Sequence, residues 1–413
     1  MLIKISSVLW IITTLFLIIS AIFLSFYYKF TNYKVLKSVN HFSKEDIKTM
    51  NISLAGKIGV GSISGIALSI MIGGKGTLFW IWISSFLFSI FTYLETKAGV
   101  IYRESNVGGP SLYIKNVLRK NRLSILYSLF IIITFLFSFI LIQSNTILIT
   151  VSDTLLIDKV FVLLFLIILV LYSINNGINR ITKLVSYLVP IMSILYLGIG
   201  FYIVLKNYNI IPSIIIEIIK DGLNIKSIIS LPLIIGFQRS IFSNEFGMGT
   251  TSMVVALSNS SDYNKEYFYQ SIGMYYISLV VCTISAFIIL TCDYTQFNVS
   301  NINGIEIINY AFNYHFNEYG MFISSAIITL FAFSTIITSF YYGDLSIKLL
   351  FKNKKSTLTK IIVIIVLILS LYIKPINIWT FVDISTSLTT IINVYALIKI
   401  RKKLKERWFY DWK

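Results

Sequence analysis

Apolar runs of about 20 residues, each long enough to cross a ~30 Å hydrocarbon layer as a helix, follow one another along most of the chain. Eleven are predicted, at about 7–28, 48–72, 77–102, 124–150, 159–175, 184–206, 228–257, 267–292, 319–346, 360–374 and 377–398. The fifth and tenth are the shortest. Two runs are interrupted. Leu54-Ala-Gly-Lys-Ile-Gly-Val-Gly-Ser-Ile-Ser-Gly65 puts Gly56, Gly59, Gly61 and Gly65 inside the second, and each glycine costs a helix interior about 1 kcal/mol relative to alanine. Phe242-Ser-Asn-Glu-Phe-Gly-Met-Gly-Thr250 interrupts the seventh. Within hydrocarbon a broken helix persists only where its freed backbone groups are satisfied inside the protein or line a cavity. Two breaks at corresponding places in two halves mark a binding site near mid-depth, as in secondary transporters.

The breaks lie five runs apart. Runs two to six and seven to eleven then form two five-helix repeats, and an odd repeat length inverts the second relative to the first. The predicted fold is an all-α polytopic membrane protein of about 11 transmembrane helices, a 5+5 inverted repeat plus one extra N-terminal helix. Residues 1–40 hold that helix and a cytoplasmic loop. Residues 41–398 form the core (repeats at about 41–206 and 228–398), and 399–413 a basic tail.

Composition agrees. The 413 residues are 56% hydrophobic, with mean hydropathy +0.81, which excludes a soluble domain. The net charge of +17 could suggest nucleic acid, but the basic residues sit in short loops between apolar runs. Lys29 to Lys48, Arg103 to Arg122, Arg180 and Lys183, Lys265, Lys348 to Lys360 and Lys399 to Lys413 fall on one side. The fewer Lys4, Lys75, Lys159, Lys206, Lys220, Lys226 and Lys374 fall on the other. The positive-inside rule puts the N-terminus outside and the C-terminus in the cytoplasm, in a cell membrane. The tail from Lys399 to Arg407 would attract anionic lipid headgroups or simply anchor the topology. Cys282 and Cys292 make no disulfide framework, and His41 and His315 are read as loop residues without clustered ligands.

Several blocks, in order, resemble the alanine or glycine:cation symporter family, also called sodium:alanine symporters. They are Gly59-Val-Gly-Ser-Ile-Ser-Gly-Ile-Ala-Leu-Ser-Ile, Gly73-Gly-Lys-Gly-Thr-Leu-Phe-Trp, Gly108-Gly-Pro-Ser-Leu-Tyr, Gln143-Ser-Asn-Thr, Gly177-Ile-Asn-Arg and Leu188-Val-Pro. The most specific is Arg239-Ser-Ile-Phe-Ser-Asn-Glu-Phe-Gly-Met-Gly, and Phe331-Ala-Phe-Ser-Thr and Tyr341-Tyr-Gly close the series. The resemblance runs from about Ser43 to Leu397. It implies import of alanine or glycine driven by sodium, sometimes protons, with no other cofactor.

An amino-acid carboxylate needs donors, which unwound N–H groups at a half-helix N-terminus supply. Gly59, Gly61 and Ser62 fit that role, unless the glycines only permit close helix packing. Gln143 is either an ammonium acceptor or interhelical glue. The resemblance makes Phe242 a substrate-lining residue that could gate the pocket, and Thr335 a site-lining residue. Ser334, Thr335 and Thr338 are candidate sodium ligands, though such hydroxyls often bond their own i−4 carbonyl. Asn244 and Glu245 follow the second break. Glu245 is a functional candidate or a structural one, capping the second half-helix or pairing with Arg239. Gly247 belongs to the same turn, and Glu95, with Lys97 and Arg103 near, is comparable.

The chain departs from the family pattern at four places. Ser62 replaces the usual Asn, Ser339 a common Trp, Ile277 (followed by Ser278) an Asp, and Phe246 a small Ala. Ser339 would enlarge the pocket. The expected function is secondary active transport of a small neutral amino acid with sodium. A proton-coupled or uncoupled carrier of a different or larger amino acid is the alternative, and a non-transporting membrane sensor is another. No cluster of Asp, His or Cys suggests an enzyme. The partners are the amino acid, sodium or a proton, and lipid.

Overall fold

The computed structural model describes residues 2–37, 44–224, 231–294, 304–351 and 356–406. His41, Lys226, Lys352, Lys354, Lys355, Arg407 and Lys413 lie outside them. The regular structure among the described residues is helical, apart from one isolated bridge between Glu104 and Val107. Among the described residues, seven helices are long and apolar enough to cross a membrane, and a bent pair makes up to eight.

The order begins with α1 (Leu2–Tyr27) and a short turn of helix at Thr31–Val35. The bent pair α2 (Lys44–Lys57) and α3 (Val60–Gly73) follows, then α4 (Gly76–Ile101) and α5 (Pro110–Asn116). Next come α6 (Asn121–Leu155), α7 (Lys159–Ile174), α8 (Gly177–Lys206) and α9 (Ile211–Leu223). The second interrupted run gives α10 (Leu231–Asn244) and α11 (Thr250–Val255). The chain continues with α12 (Tyr263–Leu290), α13 (Gly304–Phe316), α14 (Gly320–Leu350), α15 (Ser356–Leu369) and α16 (Pro375–Glu406).

Each of the eleven apolar runs carries a helix, but α7 and α15 have only 16 and 14 residues. Besides the short helices at Thr31–Val35 and α5, two 13-residue helices, α9 and α13, had no counterpart in the hydrophobic pattern. α9 buries Ile211, Ile214, Ile218 and Gly222, a single stripe at helical spacing. Its Asp221 carboxylate accepts the Gly76 N–H at 2.6 Å, and its Glu217 meets Lys75 at 2.5 Å, so α9 caps the start of α4. α13 lies against α3 so closely that a Cβ at Gly304 would fall 2.2 Å from the Ser64 carbonyl oxygen. His315 is therefore not a loop residue. It is buried in α13, with its Nε2 2.9 Å from the Thr291 hydroxyl.

A belt of exposed apolar side chains marks the lipid face. Val8, Leu15 and Ile19 of α1, Phe161, Phe165 and Ile168 of α7, and Ile191, Ile194 and Phe201 of α8 all project outward. So large a continuous apolar surface is stable only against hydrocarbon or another protein. The inner faces are rich in serine, threonine and glycine, which lets backbones approach closely. α1 is tied to α16 at three levels. Trp10 Nε1 donates to the Asp383 carbonyl at 3.0 Å, the Thr13 and Ser387 hydroxyls lie 2.5 Å apart, and the Tyr28 hydroxyl donates to the Arg401 carbonyl at 2.7 Å.

Glycines separate into packed and free positions. A Cβ at Gly99 in α4 would fall 2.7 Å from the Ser252 backbone of α11, whereas one at Gly198 in α8 would meet nothing within 4 Å. Gly99→Ala is expected to destabilise by about 1–3 kcal/mol through overpacking. Gly198→Ala is expected to be neutral or stabilising by up to about 1 kcal/mol. Thermal unfolding of the two variants in detergent checks the contrast, and equal melting temperatures would contradict it.

Candidate functional site

The first break falls at Ile58 and Gly59, where α2 and α3 meet at 42°. Freed backbone groups there find partners on other helices. The Val60 N–H donates to Gln143 Oε1 of α6 at 3.0 Å. The Thr335 hydroxyl of α14 lies 3.1 Å from the Ala55 carbonyl and 3.4 Å from that of Ile58. Ser334 donates to the Ala55 carbonyl at 3.3 Å. Thr338 bonds the Ser334 carbonyl of its own helix at 2.9 Å. The Ser62 hydroxyl turns back onto the Gly59 carbonyl at 2.9 Å, and the Ser62 carbonyl accepts from Ser285 of α12 at 2.6 Å.

The glycines at this break are tightly enclosed. A Cβ at Gly59 would lie 2.6 Å from Thr335 Oγ1 and 2.9 Å from Gln143 Nε2. A Cβ at Gly61 would lie 2.1 Å from the Phe242 ring. Phe242 thus occupies the space beside the half-helix N-terminus in this conformation. Its ring also meets Phe139, with centroids 4.7 Å apart, and Trp379 at 5.4 Å.

Above this aromatic layer lies a buried ion pair. Arg239 Nη2 of α10 is 3.6 Å from Asp383 Oδ2 of α16, and the guanidinium stacks over Trp379 at 4.5 Å. Gly65 faces Trp379 and Arg239 from α3. The expected Arg239–Glu245 pairing is thereby replaced. Glu245 lies beyond the end of α10, past Phe242, while Asp383 of the last long helix reaches Arg239 instead.

The second break is built from Glu245, Gly247 and Gly249, all with left-handed φ (55°, 71° and 94°). The two glycines adopt that conformation without a Cβ penalty. Five side chains hold the turn and the helix after it. Glu95 Oε1 of α4 accepts from the Gly249 N–H at 2.9 Å and from the Asn393 amide at 2.9 Å. The same amide donates to the Gly247 carbonyl at 2.8 Å, and the Tyr113 hydroxyl donates to Asn393 Oδ1. The Tyr127 hydroxyl donates to the Met248 carbonyl at 2.6 Å, and that of Tyr341 to the Met253 carbonyl at 3.0 Å.

The two breaks are joined by charge. Lys57, the last residue of α2, is buried, interacts electrostatically with Glu245 and Glu95, and has its ammonium 3.4 Å from the Thr251 hydroxyl. Asn244 donates to Ser278 of α12 at 2.8 Å. Two π-helical stretches flank the site, at Ile132–Phe139 in α6 and Tyr276–Val281 in α12. The first ends on Phe139 and the second carries Ser278.

The structure brings Gly59, Gly61, Ser62, Gln143, Phe242, Ser334 and Thr335 to the first break. Gly56 lies beside the Glu245 carboxylate, Asn244 ends α10, and Glu245 and Gly247 form the second break. Ser339 is buried, with no hydrogen-bond partner for its hydroxyl. Sequence reasoning did not single out Lys57, Phe139, Trp379, Asp383, Asn393 or Tyr342. Lys57 and Asp383 carried a usable signal, since each is an ionisable residue inside an apolar run.

A cavity of about 430 Å³ opens at the end of the molecule bearing Lys48 and Lys348. Asn106, Asn179, Thr182, Tyr341 and Asp344 contribute to its wall.

Interrupted helices meeting across a buried polar layer define a membrane transporter of the broken-helix type. The chain belongs to the sodium:alanine symporter family, whose sequence model matches residues 1–410. It is 28% identical over 418 residues to the "Probable sodium/glutamine symporter GlnT" of Bacillus subtilis (strain 168), covering 96% of this chain and 87% of that one. It is 28% identical to the amino-acid carrier protein AlsT of the same organism, covering 84% and 76%. The sodium/alanine symporter AgcS of Methanococcus maripaludis is 23% identical, covering 87% and 81%. Among solved structures, MhsT in complex with L-phenylalanine shares the fold with TM-score 0.67 at 11% identity, covering 88% of this chain and 90% of that one.

Asn393→Leu would strip Glu95 and the Gly247 carbonyl of a buried donor and Tyr113 of its acceptor. Leaving buried groups unsatisfied costs about 1–3 kcal/mol. The variant is expected to melt several degrees lower in detergent, which differential scanning fluorimetry would detect. An unchanged melting temperature would show that Asn393 does not hold the turn.

Proposed function

We propose that the protein is a secondary active symporter that imports a small neutral amino acid together with sodium by alternating access. The observation that carries this reading is the first break. Its half-helix N-terminus and the carbonyls of Ala55 and Ile58 face the Ser334 and Thr335 hydroxyls of α14. N–H groups of Gly61 and Ser62 suit a carboxylate, and Gln143 suits the ammonium. Hydroxyls and carbonyls are the hard oxygen donors that sodium takes, with Thr338 one turn further along. In this reading the chain crosses a cell membrane eleven times as two inverted five-helix repeats behind an extra first helix, with the N-terminus outside.

The conformation supports a transport cycle. Phe242, Phe139, Trp379 and the Arg239–Asp383 pair close one end of the site, and the 430 Å³ cavity lies toward the opposite end of α14, lined by Tyr341, Asp344 and Lys348. The open end carries Lys48 and Lys348, the basic and hence cytoplasmic side. Opening of that cavity toward the site would give the inward-facing state, with Phe242 packed on Gly61 as the gate to the other side.

A second reading, a larger or more polar amino-acid cargo, is favoured by the unpartnered Ser339 hydroxyl four residues beyond Thr335. The relatives are likewise named for glutamine as well as alanine.

Uptake of radiolabelled alanine, glycine, glutamine and phenylalanine into proteoliposomes, with and without an inward sodium gradient, tests both readings. Sodium-dependent alanine or glycine uptake is expected. Gly61→Leu, whose side chain would occupy the Phe242 position, should abolish uptake while leaving folded, inserted protein. Wild-type uptake by that variant would sink the site assignment, and uptake of every amino acid without sodium would sink the coupling.

A further inference from the structure

Between the two breaks lies a buried cluster whose charges do not balance. Glu95 and Glu245 both face the Lys57 ammonium, so two carboxylates meet one cation. All three side chains are buried. The neighbouring groups supply no second cation. Tyr342 comes from α14, Tyr127 from α6 and Thr250 from α11, and Tyr113 of α5 faces Glu95. Arg239 is engaged with Asp383, and the ammonium of Lys97 sits over the Tyr263 ring at 4.5 Å.

The two carboxylates are not equivalent. Glu95 accepts from the Gly249 N–H and the Asn393 amide, donors that favour its ionised form. Glu245 receives no backbone N–H or amide donor, and its nearest polar neighbours are the Thr250 and Tyr342 hydroxyls. The missing side chain of Gly56 leaves the room they occupy. From the position of a Cβ there, Tyr342 Oη is 3.2 Å away and Glu245 Oε1 is 3.4 Å away. Each of the two hydroxyls can accept a hydrogen bond as well as donate one. An ionised carboxylate with only hydroxyls to stabilise it in a dry site is costly, and the ordinary remedy is to take up a proton.

We propose that the Glu245 carboxyl is a proton-binding site in the second helix break, occupied while Lys57 and Glu95 remain ionised beside it. The bound proton cancels the excess negative charge, and the neutral acid gains a donor to offer the Tyr342 or Thr250 hydroxyl. A metal cation is the poorer occupant, because the Lys57 ammonium would repel it. The site goes beyond the sodium reading and does not depend on it. It lies on the Thr250–Tyr342 side of Gly56, whereas the proposed sodium donors gather at Ala55, Ile58 and Thr335, and Thr338 turns its methyl group toward Gly56 and its hydroxyl to the Ser334 carbonyl.

Difference infrared spectroscopy of the full chain in lipid vesicles tests this without any transported cargo. A protonated-carboxyl C=O band is expected at neutral pH in sodium-free and sodium-containing buffer alike. Glu245→Asp should shift that band, whereas Glu95→Asp should leave it in place. Lys57→Met, which leaves both carboxylates uncompensated, should add a second protonated-carboxyl band, and it decides the matter if the Glu245 variant fails to fold. The proposal is overturned if the band moves with Glu95→Asp instead, if Lys57→Met changes nothing, or if sodium abolishes the band. Loss of sodium-coupled uptake with these infrared results intact would instead count against the symport reading alone.

Discussion

A polypeptide that interrupts a helix inside hydrocarbon must find partners for every N–H and C=O it releases, and the rest of this structure is arranged around that need. An unsatisfied buried group costs about 1–3 kcal/mol, and the two breaks release several. At the first, the partners come from α6 through Gln143 and from α14 through Ser334 and Thr335. At the second they come from α4, α6, α14 and α16 through Glu95, Tyr127, Tyr341 and Asn393. Moving any of these helices would strand backbone groups in a medium without water. The breaks therefore fix the positions of the continuous helices at least as much as the continuous helices support the breaks.

The same requirement makes the site able to change. A continuous helix satisfies its backbone internally and gains nothing from a ligand there. At the first break the Thr335 hydroxyl reaches Ala55 and Ile58 at 3.1 and 3.4 Å while also bonding the Phe331 carbonyl of its own helix. It can release the break without being orphaned itself. Phe242, pressed onto Gly61, is held by ring contacts with Phe139 and Trp379, which are non-directional and easily re-formed after a rotation. The second break is more rigidly tied, since Asn393 alone joins Tyr113, Glu95 and Gly247. The two interruptions thus differ in stiffness.

Much of this was legible in the sequence. Glycines inside an apolar run located the first break, and Gly247 and Gly249 located the second, because both signals are local. The apolar runs located the long helices for the same reason. The helices α9 and α13 were not legible, because a 13-residue amphipathic segment at a membrane face has no 20-residue apolar signature. Partner choice was not legible either. Arg239 and Glu245 are six residues apart in sequence, which made their pairing attractive, but the turn at Glu245 carries it away and Asp383 arrives from α16. Asn393 and Trp379 are ordinary residues of the last long helix until the fold brings that helix against the breaks.

The departures from the family pattern make physical sense where the structure gives them neighbours. Phe246, in place of a small residue, packs edge-on against Phe88 with centroids 5.8 Å apart, whereas the ring at Gly61 is that of Phe242. It fills core and leaves the Phe242 surface alone. Ile277 and Ser278 lie in the π-helical turn of α12, which inserts a residue into the helical register. That insertion rotates Ile277 into the apolar core and presents the Ser278 hydroxyl to Asn244 at 2.8 Å. A polar partner for Asn244 is thus kept while the carboxylate is dispensed with. With no acid there, the excess negative charge near the breaks resides on Glu95 and Glu245 against Lys57. That excess is concentrated beside the second break, in the residues that tie it to the first.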